Sequence, residues 1–431
     1  MNMSILIKNA IIVTQDSERR IIDGDLLIED NRISEIGKNI KEKTDEVIYA
    51  KGKIAIPGLI NTHTHIAMAL LRGYGEGLPL HEWLEKKIWP AEAKLTREDV
   101  RRGSLLGMME SIRNGVTAIN EMYIYHVEET GKAAEEIGIR IMLPRAMFDL
   151  IPGRKLETEL HEAAVFINNW KGRSELVRPI VSCHAPYTCS EELLLKAKDM
   201  ANKEKLKFHM HLSETRKEMF DILNSKGKYP FEYMDSIGLV DENSIFAHAS
   251  WVTKREISLV GKKRATISHC PTSNLKLATG GICPIIEYDG AGANVTIGTD
   301  SAASNNSLDM FESMKLAALL QKHHYWKADV VSAQKLFDFA TINGAKGLGI
   351  DAGSIEKGKL ADIVLLERGP NMVPEHNVIA NIIYAAGPQN VSDVIINGKV
   401  VMRDKKILTV DEEKVKEEAE KAAKDLALRA S

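Results

Sequence analysis

Residues 54–65 read IAIPGLINTHTH, an apolar run that ends in two histidines separated by one residue. Its length and composition favour a buried strand, and residues i and i+2 of a strand point to the same face. His63 and His65 can therefore direct both imidazoles at one metal ion. Two surface histidines at a strand end are the alternative, so the interpretation depends on what ends the later strands.

The region that follows alternates apolar strands with helical patterns. Segments such as TREDVRRGSLLGMMESIRN (96–114) and SEELLLKAKDMANKEK (190–205) have helical character. Eight strands that alternate with helices predict an α/β fold in which a parallel sheet closes as a (β/α)8 TIM barrel. The candidate strands are IAIPGLINTHTH, GVTAINEMY, IGIRIMLPRA, RPIVSCHAP, LKFHMHLSE, NSIFAHAS, RATISHCP and NVTIGTD.

Both ends of the chain are rich in short strands punctuated by Gly and Asp-Gly, as hairpins require. Residues 1–57 have this texture, and it returns from residue 354. We therefore predict a small β-sandwich domain built from residues 1–57 and 354–410, around a catalytic barrel at 58–353. Residues 411–431 predict a charged helix that is either solvated or packed against another subunit.

Composition limits the classes of function. The 431 residues carry a net charge of −3 with both signs interspersed, which gives no basic surface for nucleic acid. The segment MNMSILIKNAIIVTQ has no basic stretch followed by a long apolar core, so no signal peptide is expected. No run approaches the ~20 apolar residues of a membrane span, so none is expected. Four cysteines without paired spacing indicate a reducing compartment. We expect a cytoplasmic protein with a small-molecule ligand.

Catalytic groups of a barrel lie where its strands end, and six of the thirteen histidines fall at predicted strand ends. Three imidazoles and one carboxylate suit a borderline divalent cation such as zinc. A water molecule on such a cation has its pKa lowered toward ~7. The proposed ligands are His63, His65, His211 and Asp300. For Asp300, the alternative role is that of a helix N-cap.

Two further strand-end residues complete the catalytic hypothesis. Glu214 follows His211 by three residues and could protonate a substrate ring while the nucleophile attacks; a helix cap or surface glutamate is its alternative. His248 could orient the attacking group, or it could be a structural histidine. His209 is interpreted as a hydrogen-bonded core residue. For His269, support of the site and loop structure remain equally open.

Several motifs together resemble the metal-dependent amidohydrolase superfamily. They are the HTH strand, HLSE, FAHAS, SHCPTSNLKL and GTDSAASNNSLDM. Within that superfamily the chain is similar to the 5′-methylthioadenosine/S-adenosylhomocysteine deaminases, a group that includes 5′-deoxyadenosine deaminases. The more specific motifs are LLRGYGE, EWLEKKIWPAE, CHAPYTCS and SNLKLATGG. The resemblance covers nearly the whole chain.

The resemblance implies a role for each matching position. It places metal ligands at His63, His65, His211 and Asp300, a proton shuttle at Glu214 and a water-orienting histidine at His248. It further implies substrate contacts by Glu92 to the ribose, Trp83 to the adenine or the 5′ substituent, Arg145 and Arg154 to the 5′ end, and His184 to the nucleoside. Because the fourth strand offers no lysine to bridge two metals, one divalent metal per subunit is expected, with zinc favoured. A homo-oligomer is also implied, and a tetramer is plausible.

The activity implied by the resemblance is hydrolytic deamination of adenosines with a changed 5′ position, within the salvage of S-adenosylmethionine by-products. The products would be inosine analogues and ammonia. One alternative keeps the site but changes the ring, to guanine, cytosine or a triazine, by deamination or dechlorination. Another is a non-catalytic scaffold, although such chains lose ligands and here every ligand position is filled.

Overall fold

The computed structural model describes residues 4–430. The amino-terminal strands are β1 (Ser4–Val13), β2 (Ile21–Glu29), β3 (Arg32–Gly37), β4 (Glu46–Tyr49) and β5 (Lys53–Pro57). The central strands are β6 (Leu59–Thr64), β7 (Val116–Glu121), β8 (Arg140–Leu143), β9 (Val177–Pro179), β10 (Val181–Ser182), β11 (Phe208–Leu212), β12 (Ser244–His248), β13 (Thr266–His269) and β14 (Asn294–Ile297). The carboxy-terminal strands are β15 (Ile363–Glu367), β16 (Val391–Ile396), β17 (Lys399–Arg403) and β18 (Lys406–Ile407).

Helices follow most of the central strands. They are α1 (Leu80–Trp83), α2 (Trp89–Glu92), α3 (Arg97–Arg113), α4 (Val127–Ile137), α5 (Leu156–Trp170), α6 (Glu191–Glu204), α7 (Arg216–Lys226), α8 (Pro230–Ser236), α9 (Lys254–Lys263), α10 (Pro271–Lys276), α11 (Ile285–Ala291), α12 (Ala302–Asn305), α13 (Met310–Tyr325), α14 (Ala333–Ala340), α15 (Ile342–Leu348), α16 (Val378–Tyr384) and α17 (Glu412–Ala430). The helices predicted near 96–114 and 190–205 correspond to α3 and α6.

The central strands form two parallel sheets, in the orders β6-β7-β8-β9 and β10-β11-β12-β13-β14. Ile180 separates β9 from β10, while its amide donates to Leu143 (3.2 Å) and the next amide, of Val181, donates to Lys207 (3.0 Å). The two short strands therefore occupy one strand position between β8 and β11. The predicted α/β fold with parallel strands is confirmed.

Hydrogen bonds also join the first central strand to the last. The amide of Asp300 donates to the carbonyl of His63 (3.0 Å), and the hydroxyl of Thr62 donates to the carbonyl of Ile297 (3.0 Å). Because the strands are parallel, their carboxyl ends face the same side of the molecule. Residues distant in sequence, such as His63 and Asp300, meet there.

Two glycines of α3 bring this helix close to the segment that follows His65. A side chain at Gly103 would place its Cβ 2.3 Å from the Ala67 carbonyl oxygen, and one at Gly107 would lie 2.6 Å from that of Ile66. Contacts that short exclude any larger residue. The helix begins with a capping box in which Thr96 and Asp99 bond each other's backbone amides. The helix thus fixes the chain immediately after the histidine pair.

Strands from both ends of the chain form one nine-stranded sheet, in the order β18-β17-β16-β15-β5-β1-β2-β3, with β4 paired to β1. Alternate residues of these strands bury an aliphatic core that includes Ile5, Ile7, Leu26 and Ile363. Since β5 runs directly into β6, this sheet anchors the strand that carries the histidine pair.

The charged helix α17 packs against its own chain. Ala419 and Ala422 are buried against Leu70, and Arg429 donates to the carboxylate of Asp99 (2.8 Å). The helix is therefore held on one face by α3 and the segment after β6. No helix within residues 4–430 combines the length and apolar composition that crossing a bilayer requires.

Candidate active site

Four predicted ligands converge at the carboxyl ends of the central strands. The Nε2 atom of His211 lies 3.2 Å from Nε2 of His63 and 3.3 Å from Nε2 of His65. Oδ1 of Asp300 lies 3.2 Å from Nε2 of His65 and 3.5 Å from Nε2 of His63. His63, His211 and Asp300 are buried, and His65 is slightly exposed. The sequence places these residues up to 237 positions apart, and the parallel strands bring them together.

The outer nitrogens of the three imidazoles are occupied. Nδ1 of His211 bonds the carbonyl of His184 (2.9 Å), Nδ1 of His65 bonds that of Met122, and Nδ1 of His63 meets Nε2 of His209 (3.2 Å). Contacts of this kind orient metal-binding histidines from behind. The hydrogen-bonded, buried position of His209 agrees with its interpretation as a core residue.

The inner nitrogens have the spacing that a metal ion demands. With metal–nitrogen bonds of about 2.0–2.1 Å, the corners of a tetrahedron lie about 3.3–3.4 Å apart. The measured separations of 3.2–3.5 Å match that edge. Neutral imidazoles facing one another through Nε2 cannot all donate a hydrogen bond to the next ring. A cation at their centre resolves this conflict, so the residues fit a divalent metal. His248 is a further neighbour, grouped with His63 and His211 within 4.8 Å.

The electrostatics of the cluster also call for positive charge. Burial lowers the pKa of His63 to about 3 and that of His211 well below its usual range. Burial alone would also lower the pKa of His65, but its hydrogen bond to Asp300 and the charge of that carboxylate raise it to about 9. Against the opposing effect of burial, bonds from both histidines hold the pKa of Asp300 well below normal. The buried carboxylate is thus paired with the cationic form of His65.

Glu214 lies beside the cluster with the protonation state that a proton donor needs. Burial, and then the charge of Asp300, raises its pKa to about 8, so the carboxyl group holds its proton at neutral pH. The neighbouring Glu218 accepts the backbone amides of Ser213 (2.7 Å) and Glu214 (3.0 Å) and so fixes this turn. Oε2 of Glu214 is 3.8 Å from Nε2 of His248.

His248 is fixed from its other side by Asn274, whose side-chain nitrogen lies 3.1 Å from Nδ1. Burial lowers the pKa of His248, which keeps the ring neutral. Three turn residues here adopt left-handed backbone conformations, with φ of 56° at Ser213, 73° at His248 and 60° at Asp300. Such conformations are uncommon outside glycine and recur at functional sites. They direct the chain sharply away from the strands.

A cavity of about 300 Å³ opens above these groups. Besides three of the four predicted ligands, Glu214 and His248, it is lined by four residues that the resemblance assigned to substrate contacts: Trp83, Glu92, Arg154 and His184. The fourth ligand, His63, lies beneath the floor, fully buried. Aromatic and aliphatic side chains form much of the remaining wall. The dimensions and mixed lining are those of a small-molecule site.

Glu92 and Trp83 flank a π-helical turn, residues 84–88, between α1 and α2. Burial raises the pKa of Glu92 to about 7, and the nearby Tyr123 hydroxyl and the charge of His65 oppose this shift. The indole nitrogen of Trp83 donates to the carbonyl of Tyr74 (3.1 Å), which ties this wall to the glycine-rich loop at 73–77. Turns of this kind occur often at functional sites.

His184 ends the strand position formed by β9 and β10. Its Nδ1 lies 2.8 Å from the hydroxyl of Thr188, and burial, with the charges of His65 and His63, lowers its pKa to about 3. The ring is therefore neutral, and its second nitrogen is left to the cavity side.

The two predicted arginines occupy different positions. Arg154 lines the cavity, with its guanidinium 5.0 Å from the ring centroid of Phe148. Arg145 is held away from the cavity wall by Glu159 (2.9 Å), by Glu162 and by the carbonyl of Ala146 (3.3 Å). Arg154 is part of the cavity lining and Arg145 is not. Direct contact between Arg145 and a ligand therefore stays a prediction.

Sequence reasoning missed several residues of the site. Glu121 ends β7, is fully buried, and accepts the amide of Ile66 (2.8 Å); the strand-end rule that selected the histidines would have found it. Tyr123 and Asn274 carried no comparable signal, because their roles depend on packing against Glu92 and His248. His269 ends β13, and neither of its ring nitrogens has a hydrogen-bond partner among residues 4–430.

The sequence and the fold of this chain resemble those of known proteins. The Amidohydrolase family profile matches residues 54–401. A 5′-deoxyadenosine deaminase of Methanosphaera stadtmanae is 46% identical over 98% of this chain and 99% of its own length. A 5-methylthioadenosine/S-adenosylhomocysteine deaminase of Pyrococcus furiosus is 42% identical over 95% of this chain and 98% of its own.

Among solved structures, an adenosine deaminase from Xanthomonas campestris with bound zinc superimposes with a TM-score of 0.95 at 30% identity, covering 99% of both chains. A triazine hydrolase from Arthrobacter aurescens reaches 0.92 at 24% identity, covering 98% of this chain and 99% of its own, and shares the fold. The strand-end cluster, the matched profile and these relatives agree, and the chain belongs to the amidohydrolase family.

Proposed function

We propose that this protein hydrolyses adenosines with a changed 5′ position to the corresponding inosine analogues and ammonia. The observation that carries the proposal is the buried Glu214 beside the four-residue cluster, in one cavity with Glu92. The names of relatives that match nearly the full chain at 42–46% identity support it. 5′-Deoxyadenosine, 5′-methylthioadenosine and S-adenosylhomocysteine are the proposed substrates, and adenosine is a further one.

In this proposal His63, His65, His211 and Asp300 hold one divalent cation, with zinc favoured. When bound, such a cation lowers the pKa of water and so makes a nucleophile available at neutral pH. Glu214 donates its proton to the ring nitrogen adjacent to the amino-bearing carbon of adenine, which makes that carbon more electrophilic. Asp300, with the neutral His248, accepts one proton of the attacking water and passes it to the amino group. As the carbon–nitrogen bond breaks and ammonia leaves, the hydroxyl proton of the adduct returns to Glu214 and the ring carbonyl forms.

The rest of the cavity grips the nucleoside. The carboxylate of Glu92 accepts hydrogen bonds from the ribose hydroxyls, which a charged acceptor strengthens. Burial raises the pKa of Glu92. Hydrogen bonds from the ribose hydroxyls favour its ionised form and so act against this shift. The neutral His184 contacts the nucleoside, and Trp83 supplies an aromatic wall. Arg154 faces the 5′ end of the substrate. Arg145 is linked to the same end through Glu159, which accepts a hydrogen bond from each arginine.

Further parts of the sequence prediction stand as proposals beside this activity. The central strands would close as a (β/α)8 barrel at 58–353, and residues 1–57 with 354–410 would form a β-sandwich domain. The four cysteines are all free thiols, which supports a reducing, cytoplasmic location. A homo-oligomer and a role in the salvage of S-adenosylmethionine by-products complete the proposal.

The test is ammonia release by zinc-loaded protein from a panel of 5′-deoxyadenosine, 5′-methylthioadenosine, S-adenosylhomocysteine, adenosine, adenine, guanine and cytosine. We expect turnover only of the nucleosides, highest where the 5′ position is changed. The Glu214→Gln protein serves as the control for background. Turnover of free bases instead, or of no compound by metal-loaded protein, would contradict the proposal.

A further inference from the structure

Glu159 joins the two arginines at the far end of the cavity. Its Oε2 accepts Nη1 of Arg145 at 2.9 Å, and its Oε1 accepts Nη1 of Arg154 at 3.0 Å. The Glu159 side chain is 1% exposed, so water does not screen these pairs. A buried carboxylate that bridges two guanidinium groups sets their positions and their net charge together.

The charges of this group cancel. Arg145 also pairs with Glu162, a half-exposed residue one turn further along α5. Two guanidinium groups thus face two carboxylates, and the cavity end carries no net formal charge. The guanidinium of Arg154 also makes cation–π contacts with two aromatic rings, at 5.0 Å from the centroid of Phe148 and 5.7 Å from that of Tyr125.

The position of this group along the cavity follows from its neighbours. Two rings separate Arg154 from the strand-end cluster: its guanidinium lies 5.0 Å from the centroid of Phe148, whose ring centroid is 6.1 Å from that of His184. The His184 ring in turn contacts His211, with 5.0 Å between centroids. Ile151 and Pro152 line the same end. If adenine reacts at the cluster and Glu92 holds the ribose, as proposed above, the 5′ substituent reaches this neutral, largely apolar end.

We propose that Glu159 is a specificity-determining residue, which favours short uncharged 5′ substituents over those that carry a carboxylate, such as that of S-adenosylhomocysteine, by neutralising the arginines that would otherwise attract this carboxylate more strongly. The inference rests on the proposed function for the direction in which the substrate lies. In this proposal, Glu159 does not contact the reacting ring. It sets the preference between a short uncharged 5′ group and a 5′ group that carries an acid.

A matched pair of ligands isolates this charge effect. The first is 5′-S-(2-carboxyethyl)-5′-thioadenosine, and the second is its methyl ester, which has the same thioether and no charge. The ratio of kcat/KM for acid over ester would be measured for the wild type, Glu159→Gln and Glu162→Gln. Glu157→Gln is the control, because it removes the same charge from an exposed position of α5. Equilibrium binding of both ligands would be measured in parallel by calorimetry.

We expect the ratio to rise about tenfold in Glu159→Gln, the scale of one hydrogen bond to a newly uncompensated charge. Glu162→Gln should raise it less, because Arg145 keeps Glu159, and Glu157→Gln should leave it unchanged. A ratio that stays constant or falls in both test variants would overturn the proposal and make Glu159 a mere support for the arginines. Should Glu159→Gln fail to fold, the exposed Glu162→Gln decides alone.

The calorimetric ratio separates this inference from the activity. Binding that shifts from ester to acid without turnover of either ligand would refute the deaminase and support the role of Glu159. Turnover of the ester with an unshifted ratio would support the deaminase and refute the role of Glu159. Failure of the wild type to bind either ligand would refute both.

Discussion

Two buried polar clusters lie at opposite ends of the central strands, and they are built differently. At the amino end of β8, Arg140 pairs with both carboxylate oxygens of Asp362 (3.0 and 3.1 Å) and donates to the carbonyl of Glu175 (3.0 Å). Each of these donors meets an acceptor. At the carboxyl ends, the Nε2 atoms of His63, His65 and His211 face one another, and the single oxygen Oδ1 of Asp300 lies near two of them.

The difference shows which observation identifies a functional site. Burial and charge are common to the two clusters, so neither property distinguishes them. Arg140 connects the central strands to Asp362, the residue before β15. The guanidinium and the carboxylate pair with each other. The histidine cluster instead gathers three ring nitrogens around one carboxylate oxygen, an arrangement that fits a divalent cation. Separate perturbation of each cluster should therefore affect different properties.

The largest effect is expected from His211→Ala, which removes one inner nitrogen. Turnover should fall by several orders of magnitude and zinc content should drop, because the site loses one of its four proposed ligands. The metal-free variant should be destabilised only by the cavity that the smaller side chain leaves and by the loss of the bond from Nδ1 to the carbonyl of His184. Elemental analysis and calorimetric melting with and without added zinc test this, as zinc should raise the melting temperature of the wild type alone. A strongly destabilised metal-free variant would make the cluster structural.

Glu214→Gln should separate chemistry from metal binding. The amide cannot donate the proton that a carboxylic acid donates, so kcat should fall about 10²–10⁴-fold. Zinc content and melting temperature should remain those of the wild type, because Glu214 is not a ligand in the proposed site. Undiminished kcat would remove Glu214 from the mechanism. Conversion of the partly buried Glu129, which lies in the first turn of α4 and does not line the cavity, to Gln provides a control for loss of one acid.

Arg140→Met addresses the matched cluster. It leaves Asp362 buried without its partner, and should lower the free energy of unfolding by about 3–5 kcal/mol. The Arg140→Met/Asp362→Leu double variant should cost less than the single one, because no unpaired charge remains. Denaturant unfolding measures both. Kinetic constants of the folded fraction should stay at wild-type values, and a specific loss of kcat would contradict the separation of the two ends.

The smallest effect is expected from Glu92→Gln, which keeps the shape of the side chain and removes its charge. We expect KM for 5′-deoxyadenosine to rise about 10–100-fold, the scale of hydrogen bonds to a charged acceptor, with a smaller change in kcat. Steady-state kinetics on 5′-deoxyadenosine and on 2′,5′-dideoxyadenosine would check the cause. The second compound lacks one ribose hydroxyl and should lose less. Equal losses on both would argue against the ribose contact.

The sequence revealed the cluster because a simple rule governs it. In a parallel sheet the strand ends meet, so His63, His65, His211 and Asp300 could be grouped without knowing the packing. The same rule covers Glu121, which was overlooked. Glu92 and Trp83 lie on helices, where no periodicity separates a cavity wall from a core face, and only the resemblance pointed to them.

Other features depend on tertiary structure that the sequence pattern does not encode. The break at Ile180 lies inside an apolar run that reads as one strand. The left-handed conformations of His248 and Asp300 involve no glycine that could signal them. Glu159 reads as an ordinary helical acid, and its pairing with Arg145 and Arg154 appears only when α5 is placed beside their loops.

The bonds between the first and last central strands also set an order of events during synthesis. The carbonyl of His63 can accept its hydrogen bond only after the amide of Asp300 has been synthesised. The segment after β6 is covered by α17, which lies more than 340 residues later in the chain. A ribosome adding about 5–20 residues each second exposes the histidine pair well before either partner emerges. Contacts of such long sequence separation form slowly. The nascent chain therefore carries the proposed metal ligands before the strands that bring them together are complete.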